Sequence, residues 1–113
     1  MRNLASLVLV SLAALTLGGC ESVETAIKAV RRWGYRAKGI APGRAEIVVA
    51  RGNFHGRSTT VVGFSTEDDY RADFGPFAPG FRHFDFGDVA GLAEAINGNT
   101  CAVLIEPIQG ESG

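Results

Sequence analysis

The chain has 113 residues, two cysteines and a formal net charge of -1, with charged side chains making up 20% of it. That is room for one small domain, and it leaves no excess of basic side chains to neutralise a phosphate backbone, which argues against nucleic acid as a partner. Cys20 and Cys101 are far apart and stand in no metal-ligand spacing, so neither a metal site nor a disulfide framework is indicated.

The N-terminal MRNLASLVLVSLAALTLGGC has one early positive charge, an apolar run from Leu4 to Leu17, and small residues before Cys20. This is the layout of a bacterial secretory signal peptide. Leu17-Gly18-Gly19-Cys20 also resembles the lipobox of bacterial lipoproteins, in which the cysteine is lipidated and becomes the new N-terminus. The run is short for a transmembrane helix. The competing reading makes Leu4 to Leu17 a buried helix or strand of the domain.

A helical period follows. In ESVETAIKAVRRWGYRAKG, apolar or small residues recur at Val23, Ala26, Ile27, Val30, Gly34 and Ala37, while Lys28, Arg31, Arg32 and Arg36 take the other face. Glu21 and Glu24 in the first turn and the basic residues towards the last complement the helix dipole, and Gly39 is a natural stop. The basic face reads as solvated.

Ala45 to Ala50 is a short β-branched apolar run suited to a buried parallel strand, and Gly52-Asn53 turns the chain out of it. Ser58 to Val62 is strand on propensity alone. The aromatic stretch from Tyr70 to Phe86 makes two Pro-containing turns around Phe77 and then a short strand from Phe81 to Phe86. Asp88 caps a helix running to about Ile96, with Val89, Leu92, Ala93 and Ile96 on one face and Gly98 past its end. Thr100 to Ile105 is the last strand. The order is that of a parallel α/β layer, and two carboxylates, Glu106 and Glu111, follow the last strand where such folds place the rim of a ligand crevice.

The stretches ESVETAIKAVRRWGY, GNFHGR, FGPFAPGF and VLIEPIQGESG, in that order and at these distances, closely resemble the ornithine aminotransferases. These belong to the class III, fold type I family that uses pyridoxal 5'-phosphate. NFHGR and EPIQGE point to class III as a whole, acetylornithine enzymes included; RRWGY and FGPFAPGF narrow the match to the ornithine branch. The resemblance runs from about Gly19 to Gly113. It implies that residues 19–113 are part of the large, cofactor-binding domain, a three-layer α/β/α unit with a mostly parallel sheet, and leaves residues 1–18 as a segment unlike the family. It also implies a helix, not a strand, after Arg57.

The resemblance assigns roles residue by residue. A helix opening at Gly19-Cys20-Glu21 offers free backbone N-H groups and the positive end of its dipole, which favours a phosphate by roughly 1 kcal/mol; Gly19 and Cys20 take that role. Phe54 becomes the ring stacked on the pyridine, although an isolated Phe is more often core. Arg57 has a guanidinium fork suited to a substrate carboxylate, against the plainer alternative of a surface ion pair. Glu106 lies near the cofactor's polar edge. Glu111 pairs with an arginine that binds one substrate's carboxylate and is masked for the other, which fits an enzyme taking ornithine and a dicarboxylic partner in turn. His55 receives no catalytic role.

The implied reaction moves the δ-amino group of ornithine to 2-oxoglutarate, giving glutamate semialdehyde and glutamate. It needs a Schiff-base lysine and an acid on the pyridine nitrogen, and in this family both lie downstream of EPIQGE. Lys28 and Lys38 match neither role, so no catalytic residue is assigned and the chain is expected to be inactive alone. The parent enzyme is expected to be a cytoplasmic homo-oligomer. The second reading is a non-catalytic, lipid-anchored envelope protein attached through Cys20; an acylated Cys20 and a phosphate turn at Cys20 are mutually exclusive.

Overall fold

The computed structural model describes residues 8–10 and 13–110. Four strands form one sheet: β1 (Val8–Val10), β2 (Glu46–Ala50), β3 (Phe81–Phe84) and β4 (Thr100–Leu104), in the order β1-β4-β2-β3. Every pair is parallel. β4 is buried along its whole length and β2 along all but its first residue, because helices cover both faces; this is why both read as unbroken apolar runs instead of alternating ones.

One face is covered by α1 (Ala13–Trp33), whose Val23, Ile27 and Val30 follow the helical period and pack on Ile47, Val49, Ala102 and Leu104. The other face is covered by α4 (Val89–Ala95), where Leu92, Ala95 and Ile96 meet Val48, Ala50, Phe84 and Val103. Alternate residues of β2 and β4 thus serve opposite layers, and the three-layer α/β/α arrangement expected from the sequence is present.

Three local features fix α1. Its regular geometry breaks at Gly19 (φ 59°, ψ -138°), so a fresh helical run opens at Cys20. Its far end widens into a π-helical turn over Gly34–Lys38, and Gly39 stops it in the left-handed region with its N-H on the Gly34 carbonyl. Gly34 admits no side chain: a Cβ there would lie 2.9 Å from the Cys101 Cβ and 3.0 Å from the Ile40 Cδ1. Tyr35 Oη then accepts the Ala45 N-H at 3.2 Å, fixing the path from helix to strand.

Several sequence expectations need correction. The basic face of α1 is only partly solvated: Arg31 donates to the Pro79 carbonyl at 2.9 Å and stacks 5.3 Å over the Phe81 ring, and Lys38 donates to the Thr100 carbonyl at 2.7 Å. Ser58 to Val62 is no strand. Ser58 precedes a short helix, α2 (Thr59–Gly63), in which Val61 is buried under α1 beside Phe64, so packing overrides β-propensity as the family resemblance implied. A further turn, α3 (Asp68–Arg71), follows. β3 ends at Phe84, two residues early, because Gly87 (φ 87°) reverses the chain. In α4, Asp88 Oδ1 accepts the Gly91 N-H at 3.0 Å as a cap should, but Val89 and Ala93 face solvent, and the inner positions are Leu92, Ala95 and Ile96. β1 lies within the apolar run read as signal-like, with Val8–Val10 in register with Ala102–Leu104. The rest of that run up to Ala13, and Glu111 at the other end, lie outside the described residues.

Candidate functional site

Parallel strands send their carboxyl ends to one edge of the sheet, and in open α/β folds ligands bind there. Three segments leave that edge side by side: α1 after β1, the Gly52–Arg57 loop after β2, and Glu106 after β4. Because β2 and β4 are neighbours with Val49 opposite Leu104, the second and third meet. The Phe54 N-H donates to Glu106 Oε1 at 3.1 Å, and Glu106 is buried.

The loop alternates in direction. Asn53 turns inward, its Nδ2 donating to the carbonyls of Ala50 at 2.7 Å and Phe64 at 3.1 Å. Phe54 turns outward, half-buried and edge-on to Tyr70 at 5.7 Å between ring centres. His55 turns inward again against Phe64, also 5.7 Å between rings, and neither of its ring nitrogens has a hydrogen-bond partner. Burial without a partner pushes the His55 pKa down to about 4, so the imidazole is neutral at pH 7. The Cys101 thiol lies in the core, where burial raises its pKa, partly opposed by Arg31 and Lys38, and is no nucleophile.

The loop then presses on the start of α1. Gly56 has φ 122°, and a Cβ at that position would fall on the Cys20 sulfur and 3.2 Å from the Cys20 Cβ. Only glycine meets both demands. The Arg57 N-H donates to Cys20 Sγ at 2.9 Å, and Ser58 Oγ donates to the Glu24 carboxylate. The Arg57 side chain is exposed and has no ion pair among the described residues. On the far side, Gln109 Nε2 holds the Arg51 carbonyl at 2.8 Å, tying the segment after Glu106 to the end of β2.

Gly19, Cys20, Phe54, Arg57 and Glu106 are therefore gathered around one loop. Sequence reasoning missed Glu24, Ser58, Tyr70 and Gln109. Each depends on a partner distant in sequence, and the residues around them carry no local pattern that marks the pairing. The assembled chemistry is a helical run restarting at Cys20, an outward aromatic ring, a buried carboxylate behind it and an exposed guanidinium. This set fits a flat, phosphorylated heterocycle with a carboxylate-bearing substrate. No group of metal-ligating side chains occurs among the described residues.

The family model for class-III aminotransferases matches residues 1–113. The chain is 58% identical over 95 residues to the ornithine aminotransferase of Bordetella pertussis, an alignment covering 84% of this chain and 23% of that protein. It is 55% identical to the ornithine aminotransferase of Brevibacillus brevis over 84% of this chain and 24% of that one. Among solved structures, the ornithine aminotransferase of Toxoplasma gondii, described with partial occupancy of PLP at its active site, matches with a TM-score of 0.83 and 43% identity, covering 84% of this chain and 23% of its own. The acetylornithine aminotransferase of Elizabethkingia anophelis matches with a TM-score of 0.60 and 48% identity over 85% of this chain and 23% of its own. The chain thus spans about a quarter of the length of the relatives it matches.

Proposed function

The chain belongs to the class-III aminotransferases, and from that premise we propose that it is part of the large domain of a pyridoxal 5'-phosphate-dependent ornithine aminotransferase, which moves the δ-amino group of ornithine to 2-oxoglutarate. The products are glutamate semialdehyde and glutamate. The observation that carries the reading is the Phe54 N-H on Glu106 Oε1, which unites two of the four sequence stretches on which the resemblance rests.

When bound, the cofactor supplies an electron sink for the amino-group transfer. The residues of this chain bind and orient it. The amides at Gly19 and Cys20 receive the phosphate. Phe54 would stack on the cofactor ring and exclude water from it. Glu106, held by the Phe54 amide, would lie towards the cofactor's polar edge, and Arg57 would receive the substrate carboxylate as a two-pronged donor. Glu111 masks an arginine when the substrate does not need it.

Neither lysine is placed to reach this site. Lys38 is held at Thr100, the amino end of β4, and Glu106 lies six residues further, roughly 20 Å along an extended chain. Lys28 is exposed on α1, eight residues beyond Cys20 or roughly 12 Å along the helix. The Cys20 sulfur, pressed on Gly56 and accepting the Arg57 amide, favours the phosphate-turn reading over lipid attachment at that sulfur. Among the described residues no helix is long and apolar enough to cross a membrane. A cytoplasmic homo-oligomer is the setting this reading takes from the family.

Amide NMR of the 113-residue chain titrated with pyridoxal 5'-phosphate, pyridoxal and inorganic phosphate tests the reading. The phosphorylated cofactor should shift Cys20, Glu21 and Phe54, pyridoxal should bind more weakly, and Phe54→Ala should weaken the cofactor while leaving phosphate unchanged. Shifts confined to Lys28 and Lys38 would sink it.

A further inference from the structure

The loop carrying Arg57 is fastened to α1 on both sides of that residue. Its own N-H rests on Cys20 Sγ, and the next side chain, Ser58, donates to Glu24 one turn into the helix that opens at Cys20. Ser58 stands at the cap position of α2 with extended backbone (φ -67°, ψ 159°), yet its side chain makes no cap bond to α2. A serine there ordinarily accepts from its own helix. Its hydroxyl instead donates to a carboxylate on another helix, a charge-assisted bond stronger than an ordinary neutral one.

We propose that Glu24 and Ser58 are positioning residues for the Arg57 guanidinium, holding the carboxylate-recognition arginine in register with the helix start at Cys20. This rests on the reading of Arg57 given above. Arg57 has an exposed side chain with no ion pair among the described residues, so the point from which its guanidinium reaches out is set by its backbone. That backbone is bracketed by the Cys20 and Glu24 contacts, and Gly56 lets it approach α1 closely. Both contacts come from the first turn and a half of the run that offers its amides to a phosphate. The anion site and the carboxylate site therefore share one rigid element, and order at one is passed to the other.

The test uses the full 113-residue chain and two readouts. The first is the order of the Arg57 Nε-H group by NMR relaxation; the second is its chemical-shift response to 2-oxoglutarate. Ser58→Ala should mobilise Arg57 and weaken 2-oxoglutarate about fivefold to tenfold, the scale of one ordinary hydrogen bond, because the effect reaches the guanidinium only through the backbone. Glu24→Gln should fall between, and Ser58→Thr should restore both readouts, while amide shifts of α2 show that the helix is intact in each variant. Unchanged Arg57 order in Ser58→Ala overturns the proposal. Lost order with no response to 2-oxoglutarate in any form upholds the positioning and overturns the carboxylate role of Arg57 instead.

Discussion

Phe54 and Glu106, 52 residues apart in sequence, are joined by one hydrogen bond of 3.1 Å from the amide nitrogen to Oε1. The bond closes the carboxyl edge of the sheet between β2 and β4. Because the carboxylate is buried, removing it leaves an amide without its acceptor in a site water reaches poorly. Glu106→Ala should cost about 1–3 kcal/mol of unfolding free energy, whereas Glu106→Gln, which keeps an acceptor, should cost under about 1 kcal/mol. Urea denaturation measures the difference; equal midpoints for the two variants would show that the bond contributes nothing.

Gly56 meets Cys20 with no room to spare, at a φ that L-residues rarely adopt. Gly56→Ala should therefore destabilise the fold by about 2–4 kcal/mol, from backbone strain together with the clash. Truncating Cys20→Gly removes the clash but not the strain, so the double variant should recover part of the loss, leaving an interaction energy of about 1–2 kcal/mol in a double-mutant cycle. Strict additivity of the two substitutions would mean that the sulfur and the loop are not in contact.

Much of this arrangement was legible because it is local. Asp88 as a cap, Gly39 as a stop, and the apolar cores of β2 and β4 each follow from a few adjacent residues. What could not be read depends on distant partners. Ser58–Val62 has strand letters, yet it is helical because Val61 and Phe64 fill space beneath α1. Ser58 and Glu24, 34 residues apart, carry no pattern that pairs them. Val89 fits the apolar side of α4 by spacing, but as the first residue of that short helix it is 78% exposed. For the site, position after the last strand already marked Glu106, while motif resemblance supplied the roles of Gly19, Cys20, Phe54 and Arg57.

Arg31 looks like a surface cation and acts as a clasp. It donates to the Pro79 carbonyl at 2.9 Å and lies over the Phe81 ring, so it secures the Pro-rich loop that leads into β3. Arg31→Ala should lose about 1–2 kcal/mol, combining a charged hydrogen bond with a cation–π contact. Limited proteolysis should then cut between Phe74 and Gly80 before it cuts the sheet. Arg31→Lys keeps the charge without the planar fork and should recover only part. A digestion pattern identical to that of the unsubstituted chain would remove the clasp role.

His55 gives the fold an acid limit. Its pKa is about 4 in the folded chain, lowered by burial from 6.5, so between those values the unfolded chain binds the proton and the folded chain does not. Stability therefore falls as pH drops through 6.5, continues to fall to about 4, and is insensitive to this residue above and below that window. The whole shift is worth about 3 kcal/mol, to order of magnitude. His55→Phe keeps a ring against Phe64 and removes the titration, and with it the two ring nitrogens that have no partner. The variant's unfolding free energy should vary less between pH 7 and pH 4 by that amount, with its advantage over the unsubstituted chain growing as pH falls. Parallel pH profiles for the two proteins would show that the imidazole is hydrated in solution and not sealed beneath the loop.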